Sequence, residues 1–304
     1  MNALRKKTLG GIVLLVAIVA AIAASLVLPE LQNGPRGRTI GIIDIEGVIA
    51  GGQGYSGLFD SASGSDIILH YLEEALWDDN IAAVVIRLNS PGGSAAAAQE
   101  IGNQIKRLRS AGKIVVASMG DMAASGGYWV AAVTDYIVAN PATMTGSIGV
   151  FMEIQNLQGL YGKLGIDFEM IKSGPLKDIG NPNRPMTDTE RDLLQAMVND
   201  IYNQFIDAIM EGRNLTRAQV EAVADGRIMT GRQALEAGLI DQFGSIYDAI
   251  GIAAQMAGIQ DRYRTQRYGE LSNWEILLYR LFTKLDRILL GSFGGGAVWN
   301  GLKP

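Results

Sequence analysis

An apolar run at residues 81–88, IAAVVIRL, is followed at once by a glycine-rich turn and then by a helical pattern. A strand that is apolar throughout is typical of a parallel sheet covered by helices on both faces. The same alternation continues along the chain, with strands predicted at 39–49, 113–119, 137–139 and 168–171, and helices at 65–79, 94–111 and from about Ser125. This pattern predicts an α/β domain with right-handed crossovers.

Three further expectations concern local structure. The glycine- and serine-rich stretch 51–64 is expected to be a loop, and Ser65 is expected to cap the helix that follows it. From Thr187 to Gly258 the pattern is mostly helical, apart from a possible strand near 238–241.

The N-terminus carries an uncharged apolar run of 20 residues, 9–28, behind three cations at positions 5–7. At about 1.5 Å per residue such a helix spans roughly 30 Å, the hydrocarbon thickness of a bilayer. The basic flank predicts that the N-terminus is cytoplasmic and that the chain after the apolar run lies outside the cytoplasm, so that the protein crosses the cell membrane once. A cleaved signal peptide, with Ala21 and Ala23 at an A-x-A-like site, and a buried core helix are the alternatives.

The chain therefore divides into four parts. A membrane anchor at 1–28 and a linker at 29–38 precede the main domain at 39–258. The remainder, 259–304, contains an amphipathic helix at 274–289 and a loose tail. That helix suits packing on its own domain, contact with a membrane surface, or contact with another subunit.

Composition excludes several classes of function. The chain has no Cys and one His, so a thiolate nucleophile and a multi-histidine metal site are impossible. A net charge of −5 argues against nucleic-acid binding, which usually leaves a basic footprint. The single histidine, His70, lies in the helical pattern 65–79 and is expected to be partly exposed there. Neither a metal nor a cofactor is expected.

Three short motifs place small residues next to groups that could take part in catalysis, either backbone N–H groups or a serine. In Asn89–Ser94 (NSPGGS), glycines at a strand-to-helix turn suit half of an oxyanion hole, or merely a tight turn. In the second motif, 120–128 (GDMAASGGY), Ser125 follows an apolar strand; it is either a nucleophile or a helix N-cap. The third, 145–149 (TGSIG), offers Ser147 as a supporting polar group or as part of a turn.

The fourth motif, 172–178 (KSGPLKD), contains two lysines. Arginine stays protonated and cannot act as a base, whereas a lysine in an apolar pocket can lose its proton near neutral pH. Either lysine could equally be an ordinary surface residue.

Taken together and in this order, the four motifs closely resemble the signal peptide peptidase A family of membrane-bound serine proteases. The resemblance extends from about Thr39 to about Ile252 and fits the short, single-domain form of the family. It implies a fold like those of Clp protease and the crotonases, built from stacked ββα units.

The resemblance also implies roles for individual residues. Ser125 matches the nucleophile, and Lys177, 52 residues further on, matches the general base. Ser147 matches the hydroxyl that orients the lysine amine. A Ser-Lys dyad needs neither histidine nor cysteine, which agrees with the composition.

Gly93, with Gly92 as the alternative, and Gly126 match the backbone donors of the oxyanion hole. The implied function is a membrane-anchored serine endopeptidase that degrades remnant signal peptides or other unfolded membrane-associated peptides, as a ring-like homo-oligomer. A crotonase-type acyl-CoA enzyme and a non-catalytic membrane scaffold are the alternatives.

Overall fold

The computed structural model describes residues 39–56, 61–260 and 262–269. Within one compact unit, 36–268, the described strands are β1 (Thr39–Ala50), β2 (Gly54–Ser56), β3 (Ser61–Gly64), β4 (Ile81–Gly93), β5 (Ile114–Ala124), β6 (Tyr136–Ala139), β7 (Met144–Gly146), β8 (Ile228–Thr230), β9 (Gln242–Phe243) and β10 (Arg264–Arg267). The helices are α1 (Ser65–Trp77), α2 (Ala95–Ser110), α3 (Gly126–Ala132), α4 (Gln158–Leu164), α5 (Asp188–Arg213), α6 (Arg217–Glu221), α7 (Gly231–Glu236) and α8 (Ile246–Met256).

The predicted anchor at 1–28, the linker at 29–38 and the amphipathic helix at 274–289 lie outside the described residues. Across the part of the chain that the structure describes, no helix is both long enough and apolar enough to cross a bilayer.

The strands form one mostly parallel sheet in the order β2-β3-β1-β4-β5-β6-β9. Strand β10 pairs in parallel with β1, and β7 pairs in parallel with β5. The antiparallel pairs are β2 with β3 and β7 with β8. This mixed α/β architecture with a parallel-rich sheet fits the expected Clp protease/crotonase-like fold.

Both faces of the central strands are buried, as the apolar runs predict. Along β1, Ile43 and Ile45 face a large core that also includes side chains of α1, α2, α3 and α5. The alternate residues Ile40 and Ile42 face a smaller core, which α8 covers with Ala249 and its neighbours. The sheet is therefore enclosed between two helical layers.

Strands β4 and β5 continue beyond their predicted ends, and this extension shapes the site. Strand β4 stays paired with β1 as far as Gly93, and β5 stays paired with β7 as far as Ala124. Their ends are held by backbone ladders rather than by apolar side chains, so hydropathy alone does not detect them. The predicted loop 51–64 likewise contains the hairpin strands β2 and β3.

Three local predictions are wrong. Residues 168–171 form no strand; they are exposed, with Ile171 93% exposed. The strand expected at 238–241 is instead β9, which follows the buried pair Leu239 and Ile240. Gly64 rather than Ser65 is the N-cap of α1, and Ser65 is its buried first residue.

Helix α5 packs against α3 through one aromatic stack and one close backbone contact. The rings of Trp129 and Phe205 lie 4.7 Å apart with an interplanar angle of 11°. Near the end of α5, a Cβ at Gly212 would lie only 1.9 Å from the carbonyl oxygen of Ala132. A side chain of any size at position 212 must therefore push the two helices apart.

Gly212→Ala is accordingly expected to lower the free energy of unfolding by about 1–3 kcal/mol, because the added methyl group overpacks this contact. Urea unfolding followed by circular dichroism measures the change. The matched control is Gly251→Ala on α8, where a Cβ meets no atom within 4 Å. That change should raise stability by up to about 1 kcal/mol, since alanine is the better helix former. Similar effects of the two substitutions would contradict this account of the α3–α5 contact.

Candidate active site

Ser125 occupies a strained turn between β5 and α3. Its backbone has φ 52° and ψ −121°, a conformation that residues with a side chain rarely adopt. Two hydrogen bonds hold the turn: the Ser125 N–H donates to the Gly146 carbonyl at 2.8 Å, and the Ser125 carbonyl accepts from the Trp129 N–H at 2.9 Å. Such strain persists only where the surroundings impose it, and it is concentrated at functional sites.

The end of β4 approaches this turn so closely that no side chain fits between them. A Cβ at Gly92 would lie 2.7 Å from the Gly126 nitrogen and 2.8 Å from the Cβ of Ser125. Gly92 also has φ 100°, which favours glycine. Position 92 thus requires glycine because two backbones meet there.

The backbone N–H groups at this contact have different partners. The Gly92 N–H donates to the Oγ of Ser90 at 3.1 Å, and Ser90 is fully buried. The Ser94 N–H donates to the Ile49 carbonyl at 2.8 Å, which holds the residue after Gly93 on β1. The Gly93 nitrogen itself lies beside Gly126, where a Cβ would be 3.3 Å from it.

Strand β7 is fastened to β5 by two buried threonines, which bring Ser147 towards Ser125. Thr145 Oγ1 donates to the Ala123 carbonyl at 2.6 Å, and Thr143 Oγ1 donates to the Gly120 carbonyl at 2.7 Å. Ser147 follows with φ 50°, and its N–H donates to the Arg227 carbonyl at 2.7 Å. Neither threonine can be recognised from the sequence, since nothing around them distinguishes them from ordinary turn residues.

Ser125, Ser147 and Gly93 line one open cleft of about 790 Å³. Apolar side chains supply much of the remaining wall: Val150, Phe151, Val198, Tyr202 and Ala224. The Tyr202 hydroxyl donates to the Ala224 carbonyl at 2.9 Å, and burial raises the pKa of Tyr202. Helix α5 thus forms part of the wall of the cleft that contains the two serines.

A charged pair lies at the rim of the cleft. The guanidinium of Arg227 donates to the Asp225 carboxylate, with Nε to Oδ1 at 2.7 Å, and lowers the pKa of Asp225 to about 2. Asp225 therefore stays ionised and paired at neutral pH, and it does not compete as a base. Because the Arg227 carbonyl accepts from the Ser147 N–H, this pair also stabilises the turn at Ser147.

Neither lysine of the 172–178 motif lines the cleft. Lys177 is exposed in a series of tight turns and is not among the residues that line the cleft. Lys172 donates to the Asp178 carboxylate at 2.6 Å. Within the described residues of one chain, the structure brings Ser125, Ser147, Gly93 and Gly126 together, and Lys177 is not among the residues that line their cleft.

Comparison with known proteins agrees with this geometry. Residues 107–260 match the family model described as peptidase family S49. The chain is 34% identical over 260 residues to a protein of Methanocaldococcus jannaschii whose name assigns it protease activity provisionally; the match covers 82% of each chain. This chain belongs to peptidase family S49, the signal peptide peptidase A family.

Two further relatives differ in how much of their length is matched. A protein of Enterococcus faecium, named provisionally as a signal peptide peptidase, is 33% identical over 249 residues, covering 80% of this chain and 72% of that protein. Protease 4 of Haemophilus influenzae is 34% identical over 227 residues, covering 75% of this chain. The chain spans less than two thirds of the length of several curated relatives, only 36% in the case of Protease 4. The comparisons therefore support the assignment of this chain to the peptidases.

The strain at position 125 can be measured directly. Ser125→Gly is expected to be more stable than Ser125→Ala by about 1 kcal/mol, because glycine adopts φ 52° without strain and alanine does not. Urea unfolding of the two variants, both of which lack the hydroxyl, gives the difference.

Ser110, exposed at the end of α2, is the matched control. There the order should reverse, with alanine more stable than glycine by about 0.5–1 kcal/mol. If alanine were also the more stable residue at position 125, the turn would not be strained.

Proposed function

We propose that this protein is a membrane-anchored serine endopeptidase with a Ser125–Lys177 dyad, which degrades remnant signal peptides or other unfolded membrane-associated peptides. The observation that carries the proposal is the strained Ser125 turn, which faces an open cleft together with Ser147 and the backbone of Gly93. Membership of family S49 agrees with hydrolysis of peptide bonds.

The proposed reaction has two halves. A neutral lysine amine at position 177 accepts the proton of Ser125 Oγ while this oxygen bonds to the peptide carbonyl carbon. The N–H groups of Gly93 and Gly126 stabilise the resulting oxyanion. The ammonium returns its proton to the leaving amine as the C–N bond breaks, which leaves an acyl-serine. Water then adds to the ester and gives a proton to the lysine; as the C–Oγ bond breaks and the acid leaves, the ammonium returns that proton to Ser125 Oγ, which regenerates both residues.

Ser147 is proposed to orient the lysine amine by accepting one of its hydrogen bonds. The support is its position, because Ser147 lines the same cleft as Ser125 and is fixed by its own backbone hydrogen bond to Arg227. Because this hydrogen bond already fixes the backbone at Ser147, binding of the amine costs no further backbone conformational entropy.

The apolar wall of the cleft suits the proposed substrates. Signal peptides contain an apolar central segment, and side chains such as Val150, Val198 and Tyr202 bury apolar residues favourably. The cleft is open rather than enclosed, so it suits an extended peptide better than a small molecule.

We further propose that the lysine reaches the cleft from a neighbouring copy of the chain in a ring-like homo-oligomer. In support, Lys177 does not line the cleft of its own chain. The segment between β7 and α5 also exposes many large apolar side chains, an arrangement typical of a surface that another protein covers. They are Phe151, Met152, Leu160, Leu164, Ile166, Phe168, Met170, Ile171 and Leu176.

The membrane part of the proposal rests on the sequence. Residues 9–28 form the proposed single-pass anchor, and the cations at positions 5–7 favour a cytoplasmic N-terminus. The peptidase domain then lies on the extracytoplasmic side of the cell membrane, where remnant signal peptides are left after processing of exported proteins.

Lys177→Arg is expected to reduce peptide hydrolysis to background, because arginine stays protonated and cannot accept the serine proton. Lys172→Arg, which keeps the charge paired with Asp178, is the matched control and should retain most of the activity. Hydrolysis of a quenched apolar peptide and labelling of Ser125 by a fluorophosphonate are measured in parallel. Near-normal turnover by Lys177→Arg, or no labelling of active wild-type protein at Ser125, contradicts the dyad.

Mixing of inactive variants tests whether the dyad forms between subunits. Ser125→Ala and Lys177→Ala proteins are unfolded together and reassembled. A site that pairs an intact serine with a neighbour's intact lysine then regains activity, which at equal mixing is on the order of a quarter of the wild-type rate. If mixed oligomers form, as shown by two affinity tags, and the rate stays at background, the dyad lies within one chain.

A further inference from the structure

The segment that carries Lys177 is irregular, yet its backbone is well defined by turns. The Lys177 N–H donates to the Gly174 carbonyl at 3.2 Å, and the Asn181 N–H donates to the Asp178 carbonyl at 3.0 Å. None of the residues 172–184 is fully buried, and the apolar members are exposed or half-buried, so the burial of apolar groups does not hold this segment in place. Something else must fix the position of Lys177.

Asp178, the next residue, is held from both sides. Its carboxylate accepts from Lys172 Nζ at 2.6 Å, from Arg184 Nε at 3.0 Å and from Arg184 Nη2 at 2.9 Å. Arg184 Nη2 also donates to the main-chain carbonyl of Asp178 at 3.3 Å. These bonds keep the pKa of Asp178 well below its usual range, so the carboxylate stays ionised. The guanidinium thus binds both the side chain and the backbone of the residue after Lys177.

The same guanidinium is fastened to α5. Arg184 Nη1 donates to Glu190 Oε2 at 2.9 Å, and Arg184 Nη2 donates to Glu190 Oε1. Glu190 is only 2% exposed and forms a capping box with Thr187 at the start of the helix. Hydrogen bonds from Arg184 lower the pKa of Glu190 to about 2, so this carboxylate is also ionised at neutral pH.

Helix α5 connects this ion cluster to the rigid part of the molecule. Fifteen residues beyond Glu190, roughly 22 Å along the axis, Phe205 stacks on Trp129 in the core. Between these points, side chains of α5 line the cleft that contains Ser125. The Lys177 segment is thus fixed to a helix that is itself anchored on the fold, through one arginine between two carboxylates.

We propose that Arg184 is a positioning residue for Lys177, which it holds in place through Asp178 while Glu190 holds Arg184 on α5. The inference rests on the proposed function, in which Lys177 is the base. A planar guanidinium can bind two carboxylates in fixed directions, which an ammonium cannot do. Without Arg184, the segment still carries Lys177, but Lys177 is no longer held at a fixed position relative to α5.

Steady-state kinetics on the full chain test this role with a quenched apolar peptide. Arg184→Gln should lower kcat by between about tenfold and a hundredfold while KM changes by less than about twofold, because misplacing a catalytic group impairs the chemical step rather than binding. Arg184→Lys should show an intermediate loss. Asp178→Asn, which keeps the shape of the side chain, is the second variant if Arg184→Gln does not assemble.

Arg217 provides the matched control, because it too bridges two carboxylates. It contacts Asp207 at 2.6 Å and Glu221 at 3.2 Å, away from the Lys177 segment. Arg217→Gln should leave both kcat and KM near their wild-type values. A kcat within about twofold of wild type for Arg184→Gln or its substitute, or an equal loss in Arg217→Gln, overturns the positioning role.

Reassembly of mixed oligomers adds a readout that a general loss of fold cannot reproduce. In the pair described above, the Ser125→Ala chain supplies Lys177 and the Lys177→Ala chain supplies Ser125. Arg184→Gln should reduce the complemented rate when placed in the first chain and have little effect in the second. Equal loss in both arrangements overturns the inference. Failure of the proposed function gives a different result from failure of this inference. If the Ser125–Lys177 dyad is wrong, Ser125→Ala or Lys177→Ala protein retains peptidase activity by itself.

Discussion

The candidate site depends on a contact between two backbones at the ends of neighbouring parallel strands. Strand β4 ends at Gly93 and β5 ends at Ala124, and Gly92 lies where any Cβ would overlap the Gly126 nitrogen. This contact lies directly against the strained turn of Ser125, and it also places the backbone nitrogen of Gly93 beside Gly126. Since close-packed interiors transmit such strain rather than absorb it, the paired strands must be rigid for the turn to persist.

Much of this arrangement can be predicted from the sequence, because it is encoded locally. The apolar runs mark the buried strands, and the small residues around Ser125 and Gly93 mark places where backbones approach each other. Parallel strands bring their carboxyl ends to one edge of a sheet, so motifs that follow β4, β5 and β7 are expected to meet there. The structure does bring Ser125, Ser147 and Gly93 to one cleft.

Other features depend on partners far apart in the sequence, and local patterns miss them. Thr145 looks like an ordinary turn residue until its hydroxyl is seen to hold the Ala123 carbonyl of β5. Residues 168–171 look like a strand because three of the four are apolar, yet no described strand pairs with them and they are exposed. A sequence window records that a residue is apolar, but not whether its own core or another molecule covers it.

The long helix α5 has a different relation to each member of the proposed dyad. Through the stack of Phe205 on Trp129 it packs beside α3, the helix that follows Ser125, and through Glu190 and Arg184 it holds the segment of Lys177. The serine turn is complete within one chain, whereas Lys177 is not among the residues that line that chain's own cleft. In the proposed assembly, the Ser125 turn of one subunit and the Lys177 segment of a neighbouring subunit form the active site only when the two subunits associate. A single chain then folds with an intact cleft and no base, so proteolysis is coupled to assembly rather than to folding.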